Sequence, residues 1–454
     1  MGPDQAARWP SPSQEQGATR RSVLKGLGAG ALATGAGGVL SACSSGGKTA
    51  SVAASTSTIT LGYVAPFTGS LAGFASADRF VIDTIRATPA YAGGFKVGGK
   101  TYPVNILVTD SQSDPNRASQ LARQLILSRN VDMLLTSSTP ETVNPVAVVA
   151  QTEGVPCVAT NDPWESWYAG LGGNPASPTA TFQYCVLYFL GLKELNNCFV
   201  PMWNRVPGKT KNVGLQYPND ADGNAFRAVM PTLMSQDGYH PVDGGAYTDG
   251  TTDFTAMITK FKDTQCEYFS NCPLPPDFNI FWRQANAQGW KPRLATVAKV
   301  LLFPDDLTTL GPLVNNIATD SWWGPYMPTR SSLDPKLKAL DLSNSFQEQT
   351  GKQWVQSIGG TYSLFEVAHQ AFGKVSDPHD RQEVASALHK VNYTGMSGEL
   401  KFSGGPAPGV SITPPVGVQW KAASGRYPFE MKVVDNTQNK AVGVQAKLEP
   451  TNVA

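Results

Sequence analysis

The stretch DPNRASQLARQLILSRNVDMLLTSSTPETVNPVAVVAQTEGVPCVA, residues 114–159, decides the fold. Its first part predicts a helix, because apolar residues recur there at helical spacing after an Asp-Pro start. These residues are Ala118, Leu121, Ala122, Leu125 and Ile126. The next predicted elements are a buried strand over 131–135, a helix over 140–153 and a strand over 155–159. Strands and helices that alternate this quickly predict a parallel sheet with helices on both faces.

The same alternation extends outward and then restarts. Strands are predicted over 58–64 and 102–108, and a second block begins with a strand at 212–217 and runs to 294–297. Between the blocks, Asn161–Thr181 is rich in Gly, Pro, Ala and Ser, which is typical of a crossing between domains. Helices return after Trp323, so the first domain is completed late. The predicted ranges are 57–177 plus 325–395 for lobe 1, and 178–324 plus 396–454 for lobe 2.

The N-terminal 43 residues have the layout of an export signal. The pair Arg20-Arg21 precedes a Gly- and Ala-rich apolar run, and the box Leu-Ser-Ala-Cys ends at Cys43. This order predicts a twin-arginine signal with a lipoprotein cleavage site, in which the Cys43 thiol carries diacylglycerol. The alternative, a membrane anchor, is disfavoured because the run is short and Gly-rich against roughly 30 Å of hydrocarbon. Residues 44–56 then form a flexible linker, and the mature chain is tethered at the extracytoplasmic face of a bacterial membrane.

Composition excludes several functional classes. The formal net charge is +1, which gives no electrostatic footprint for nucleic acid. Neither Gly-x-Ser-x-Gly nor His-Glu-x-x-His occurs, so the sequence predicts no enzyme, and no spacing indicates a metal site or a cofactor. Export permits disulfides, but the pairing of the cysteines after Cys43 stays open. These cysteines are Cys157, Cys185, Cys198, Cys266 and Cys272.

Ligands bind open parallel sheets at the carboxyl ends of the strands, so the loops that follow strands are the candidate site. Four of them stand out: 66–74, 136–141, 160–168 and 217–223. In the first loop, Phe74 either offers a flat face to a ligand or packs against the next helix. In the second, Ser138, Pro140 and Glu141 have the spacing of a capped helix start. Such a start either holds a carboxylate or is an ordinary cap that binds nothing.

The third and fourth loops likewise have two interpretations each. Trp164, Trp167 and Tyr168 could wall a pocket for an apolar or aromatic ligand, or could pack the domain junction. The loop that begins at Tyr217 occupies the equivalent position in the second block, and it could also be a plain turn with a helix cap.

The order of these motifs resembles the branched-chain amino-acid-binding-protein family, the extracytoplasmic solute receptors of ABC importers. The resemblance is carried by Gly-x-x-x-Pro-Phe-Thr-Gly from Gly62, the Ser-Ser-Thr loop, Asn161 to Trp164 and the pair Asn219-Asp220. It implies two Rossmann-like lobes of the type I periplasmic binding fold, joined by a three-stranded hinge that closes on a ligand. It also implies a monomeric, non-catalytic protein that delivers a small solute to a membrane permease.

The resemblance further implies roles for particular residues. Phe74 takes the position of an aromatic lid, the Ser-Ser-Thr loop holds a ligand carboxylate, and the loops at Asn161 and Tyr217 add contacts. With Lys299, discussed next, the predicted ligand-binding residues are Phe74, Ser137, Ser138, Thr139, Asn161, Asp162, Trp164, Tyr217, Asn219 and Lys299.

One departure from the family pattern concerns the ligand. Amino-acid-binding members place an acidic residue just beyond the strand at 294–297, whereas this chain has Lys299 there and no acid before Asp305. A buried ammonium without a carboxylate partner would cost several kcal/mol. Lys299 either points into the cleft, where it favours an anion, or points to solvent. The expected ligand is a hydrophobic or aromatic carboxylate, or an amino-acid-like compound; a signalling sensor and, less favoured, an exported hydrolase are the alternative functions.

Overall fold

The chain alternates strands and helices from Ile59 onward, as its pattern predicts. The computed structural model describes residues 58–451, so the predicted signal (1–43) and linker (44–56) lie outside the described residues. The strands are β1 (Ile59–Ala65), β2 (Phe95–Val97), β3 (Lys100–Tyr102), β4 (Val104–Asp110), β5 (Met133–Ser137), β6 (Cys157–Thr160), β7 (Cys185–Tyr188), β8 (Asn212–Gln216), β9 (His240–Asp243), β10 (Tyr268–Asn271), β11 (Leu294–Val297), β12 (Ala318–Ser321), β13 (Asn392–Gly395), β14 (Gly398–Lys401), β15 (Val410–Ser411), β16 (Val416–Ala422) and β17 (Phe429–Asp435).

The helices carry the complementary apolar faces. They are α1 (Asp78–Ala87), α2 (Pro89–Ala92), α3 (Pro115–Arg129), α4 (Pro140–Glu153), α5 (Trp164–Gly170), α6 (Leu192–Arg205), α7 (Ala221–Gln236), α8 (Thr255–Asp263), α9 (Pro275–Ala287), α10 (Pro304–Leu310), α11 (Ala339–Thr350), α12 (Ser357–Phe372) and α13 (Arg381–Leu388), with a 3₁₀ turn over Gly311–Val314.

The first sheet has the order β15-β7-β6-β5-β1-β4 and all of its pairings are parallel. Its central strands are buried on both faces: every residue of β5 and β6 is buried. Continuous apolar strands of this kind require helices on both sides of the sheet. The stretch 114–159 supplies four consecutive elements here, α3, β5, α4 and β6, which confirms the alternation predicted from the sequence.

The second sheet has the order β17-β16-β12-β11-β10-β8-β9. The pairings from β9 to β12 are parallel, as predicted. Two antiparallel strands, β16 and β17, extend the edge next to β12. The chain enters β16 from the opposite lobe, and a short turn then returns it as β17. Each sheet with its helices forms one lobe of a two-lobed α/β fold.

The chain crosses between the sheets three times within residues 58–451. The first crossing is the short segment 189–191 between β7 and α6, the second runs over 322–338 between β12 and α11, and the third is 412–415 between β15 and β16. The first two crossings touch, because the rings of Phe189 and Trp322 meet edge to face with centroids 4.9 Å apart. Short neighbouring connections of this kind allow two lobes to hinge.

The predicted crossing over Asn161–Thr181 is wrong, because the chain forms α5 there and then returns to the first sheet as β7. The Gly- and Pro-rich segment instead connects β6 to β7 within the first lobe. By pairing, β7 and β15 lie with the first sheet, although both fall within the ranges predicted for lobe 2. The residue boundaries of the lobes otherwise stay a prediction.

The described residues also show the state of the cysteines and whether any helix could span a membrane. All five cysteines after Cys43 are buried and unpaired within residues 58–451. Burial raises the pKa of the Cys272 thiol, which keeps it protonated. Over the same residues, no helix is both long and apolar enough to cross a bilayer.

Candidate functional site

The loops at the carboxyl ends of both sheets face each other across a small cavity of about 40 Å³. We call it the interlobe cavity. It combines residues of both lobes with residues of two crossings. The lining residues are Phe74, Thr139, Asn161, Pro163, Phe189, Leu190, Leu195, Asp222, Phe226, Ala298, Lys299, Leu302, Asp320 and Trp322. The arrangement is what the topology of parallel sheets predicts for a ligand site.

Lys299 lies inside this cavity and is held by three carboxylates. Its Nζ is 2.9 Å from Asp222 Oδ2, 3.1 Å from Glu141 Oε1 and 3.4 Å from Asp220 Oδ2. Glu141 belongs to α4 of the first lobe, whereas Asp220 and Asp222 belong to the start of α7 in the second. We call these four residues the Lys299 cluster. It forms an ionic link between the two lobes.

Charge and burial oppose each other in this cluster. Burial alone would lower the pKa of Lys299, but Asp222 and Glu141 hold it well above its usual value, so the side chain stays an ammonium. Burial, opposed by Lys299, raises the pKa of Asp220 to about 6 and that of Asp222 to about 7. Burial also acts to raise the pKa of Glu141, but the charge of Lys299 and the hydrogen bonds to the carboxylate together outweigh burial and lower the pKa. One ammonium is therefore surrounded by more carboxyl groups than it can neutralise.

Asp162 adds a further carboxyl group beside the cluster. It is fully buried, and neither of its oxygens has a hydrogen-bond partner among residues 58–451. Burial, followed by the charges of Asp222 and Glu141, raises the pKa of Asp162 well above its usual value. Asp162 therefore holds its proton more strongly than an exposed aspartate does.

The structure therefore places the Lys299 side chain in the cavity, but it does not support the prediction that this side chain would favour an anion there. The side chain is only 5 % exposed and faces the cavity. Its ammonium is not free for an anion, contrary to the sequence argument, because three carboxylates already surround it. The predicted site residues include none of the three carboxylates: Glu141 and Asp222 lie in the first turn of a helix that follows a strand, and Asp220 is the N-cap of α7. These positions, within loops already singled out, were the signal that could have found them.

Two polar loops of the first lobe, those that follow β5 and β6, lie next to each other. Asn161 adopts a left-handed backbone with φ of 63°, and its Nδ2 donates to Ser137 Oγ over 2.9 Å. Ser138 is fully buried, and its hydroxyl has no partner in the described part of the chain. Thr139 precedes α4 and lines the cavity. A non-glycine residue in the left-handed region costs free energy, and such strain is common at ligand sites.

Phe74 lines the cavity and contacts the opposite lobe. It is 3 % exposed, and its ring meets that of Phe303, at the start of α10 in the second lobe, with centroids 4.9 Å apart. The sequence left open whether Phe74 faces a ligand or packs a helix. It lines the cavity and packs across the lobes. Its contact therefore depends on how far the lobes are closed.

Six predicted site residues are not among the lining residues of the cavity: Ser137, Ser138, Asp162, Trp164, Tyr217 and Asn219. Trp164 packs edge to face on Tyr168, with centroids 6.2 Å apart. The hydroxyl of Tyr217 is 3.2 Å from Ser270 Oγ, in the core of the second lobe. Asn219 is exposed, and its backbone N–H donates to Tyr247 over 2.7 Å. Trp164 and Tyr217 thus support the loops that bear the lining residues.

Replacing Phe74 by alanine is expected to weaken the binding of a small molecule held in the interlobe cavity about tenfold, close to 1.4 kcal/mol, because the aromatic contact forms only when the lobes close. Calorimetric titration with the tightest-binding compound of a metabolite panel measures this. Phe303→Ala and the double variant complete the comparison. If the two rings act together, the effects of the single changes do not add. Additive losses would contradict the interlobe role of Phe74.

A comparison with protein families finds a match over most of the chain. The profile described as "Periplasmic binding protein" matches residues 58–422. This range begins at the first described residue and ends with β16, so it spans all three crossings and every strand of the two sheets except β17.

Solved structures with the same fold include several binding proteins. A leucine binding protein from Thermotoga maritima is 16% identical, with a TM-score of 0.67, covering 84% of this chain and 99% of its own. A branched-chain amino acid transporter substrate binding protein from Streptococcus pneumoniae, in complex with isoleucine, is 16% identical, with a TM-score of 0.63 and coverages of 83% and 99%. A solute binding protein of an ABC transporter from Rhodopseudomonas palustris, in complex with 3,4-dihydroxy benzoic acid, is 14% identical, with a TM-score of 0.64 and coverages of 87% and 99%. At these identities the likeness shows the fold.

Proposed function

Because the chain belongs to the periplasmic binding protein family, we propose that it captures a small organic solute between its lobes and delivers it to an ABC permease. The observation that carries this proposal is the interlobe cavity, which is lined by both lobes and by two of the crossings. Closure about the crossings would bury a solute there, and the closed form would be the one that docks on the permease.

The walls of the cavity support a solute with an apolar body. Aromatic side chains contribute from both lobes and the crossings, among them Phe74, Phe189, Phe226 and Trp322. Concave sites with mostly apolar walls and a few polar groups are typical of small-molecule binding. Among residues 58–451, no group of His, Cys, Asp and Glu side chains is arranged to hold a metal ion.

A paired assay on the chain from Ser44 onward tests this function. A panel of metabolites is screened by thermal shift, and ester and peptide substrates are tested for turnover. A bound solute at about a hundredfold its dissociation constant should stabilise the protein by roughly 2.7 kcal/mol. Turnover of a substrate, or the absence of any stabilising compound across a broad panel, would contradict a solute-binding role.

The proposal includes a lipid anchor at Cys43, outside the described residues. Replacing Cys43 by alanine is expected to abolish labelling of the protein by a fatty-acid probe in a bacterial host and to release it from the membrane fraction, because the thiol that carries the lipid is lost. Ser41→Thr, two residues upstream, serves as the control and should remain labelled. Undiminished labelling of the Cys43 variant would contradict the anchor and the tethered location.

A further inference from the structure

We propose that the solute carries a positive charge: the interlobe cavity binds an organic amine whose N–H groups donate to Asp222 and Asn161. The inference rests on the proposed function, since it names the class of solute that the cavity captures. It differs from the carboxylate expected from the sequence, and the difference follows from groups that only the structure brings together.

The first observation is an excess of carboxyl groups. Asp220, Asp222 and Glu141 lie within 3.4 Å of the single ammonium of Lys299. Asp162 stands beside them, and its pKa is raised in part by the charges of Asp222 and Glu141. An anion entering this end of the cavity would add a further negative charge where Lys299 is already surrounded. A cation would relieve the repulsion.

The second observation is a set of unpartnered acceptors. Asp222 Oδ1 and Asn161 Oδ1 are buried without a hydrogen-bond partner in the described part of the chain. Both residues line the cavity and are 3 % exposed. Asn161 uses its Nδ2 on Ser137, which leaves its oxygen to accept. A buried acceptor without a donor is costly, and a ligand ammonium supplies several N–H donors at once.

The third observation concerns the helix starts, which would be the natural places for a ligand carboxylate. Glu141 lies in the first turn of α4. Asp220 caps α7 by accepting from the Gly223 N–H over 2.6 Å, and Asp222 lies in the first turn of the same helix. The favourable field at both helix starts is therefore used by the chain's own carboxylates. A ligand anion would compete with them.

The apolar walls indicate an organic cation. Phe74, Phe189 and Trp322 line the cavity together with its acidic end. Aromatic faces attract cations and cover hydrocarbon, so an amine on an apolar body uses both properties of the cavity. A bare metal ion would use only the carboxylates.

Probes with matched skeletons test the charge directly. Calorimetric titration of the chain from Ser44 onward compares 2-phenylethylamine, 3-phenylpropionate and phenylalanine, and likewise isopentylamine, 4-methylpentanoate and leucine. The amine of at least one set is expected to bind at least tenfold more tightly than its carboxylate and its zwitterion. Tighter binding of a carboxylate or a zwitterion would overturn the inference and leave the solute-binding function standing. Binding by none of these probes overturns the inference, and the proposed function then stands or falls on the broad metabolite panel.

Variants of the proposed contact residues test where on the protein the amine binds. Asp222→Asn is expected to weaken binding of the amine at least tenfold, whereas Glu348→Gln, at an exposed position, should leave it unchanged. If Asp222→Asn does not fold, Asn161→Gly removes the second acceptor, tolerates the left-handed backbone at this position and should weaken the amine in the same direction. Undiminished amine binding in those of the two variants that fold would overturn the assignment of the site.

Discussion

Replacing Lys299 by methionine is expected to destabilise the ligand-free protein by about 3–5 kcal/mol at pH 8, because the change leaves buried carboxylates without their counter-charge. Methionine keeps much of the unbranched length of the lysine side chain, so lost packing contributes little. The loss should be smaller at pH 5. Asp222, whose pKa burial raises to about 7, and Asp220, whose pKa burial raises to about 6, take up protons there and no longer repel each other.

Denaturant unfolding of the wild type and the variant at both pH values measures this effect. Lys336→Met, at an exposed position, is the matched control and is expected to change stability by less than about 0.5 kcal/mol. Equal stability of the Lys299 variant and the wild type at pH 8 would show that the cluster does not exist in solution.

The second expected result is that the protein is more stable at pH 5 than at pH 8. Burial raises the pKa of Asp78 to about 7, that of Asp320 to about 7 and that of Glu165 to about 8. A carboxyl group whose folded pKa lies above its unfolded value stabilises the fold fully below the unfolded pKa. That stability is lost as pH rises through the folded pKa. A shift from 3.8 to about 7, as for Asp78, corresponds to roughly 4 kcal/mol.

Unfolding curves measured between pH 5 and 8 test whether stability falls as pH rises. Glu165→Gln should flatten the profile, because the amide does not titrate in this range. The amide also keeps an oxygen that can accept from the Leu192 N–H, as both oxygens of Glu165 do over 3.0–3.1 Å. Asp83→Asn, in the exposed part of α1, should leave the slope unchanged. Stability that rises steadily from pH 5 to pH 8 would contradict the buried state of these carboxyl groups.

Much of the fold could be predicted because its signals are local. In the stretch 114–159, helical spacing and short apolar runs place α3, β5, α4 and β6, and Asp114 caps α3 by accepting from the Arg117 N–H. The first crossing could not be found in this way. It spans only 189–191, directly after β7, whose four buried residues give no period that separates a strand from a linker. Composition favoured the Gly- and Pro-rich segment that precedes it.

In the candidate site, too, local features could be predicted from the sequence and contacts between distant residues could not. The sequence could predict Phe74, Thr139, Asn161 and Lys299 as lining residues, since each follows a strand of a parallel sheet, but their charge balance could not be predicted. Lys299 lies 158 residues from Glu141 and 79 residues from Asp220 along the chain. The approach of the two lobes brings Glu141 to Lys299, whereas Asp220 reaches it because the loops after β8 and β11 lie at the same edge of the second sheet. A lysine counted alone favoured an anion, whereas the same lysine among carboxyl groups does not.

The most direct test of the solute-binding account is a crystal structure of the chain from Ser44 onward with the tightest-binding compound of the metabolite panel. Density for the compound is expected between the lobes, within hydrogen-bond distance of Asp222 or Asn161 and against Phe74 or Trp322. Density for the compound at any other place on the protein, with the interlobe cavity closed and filled by the chain's own side chains, would contradict the account.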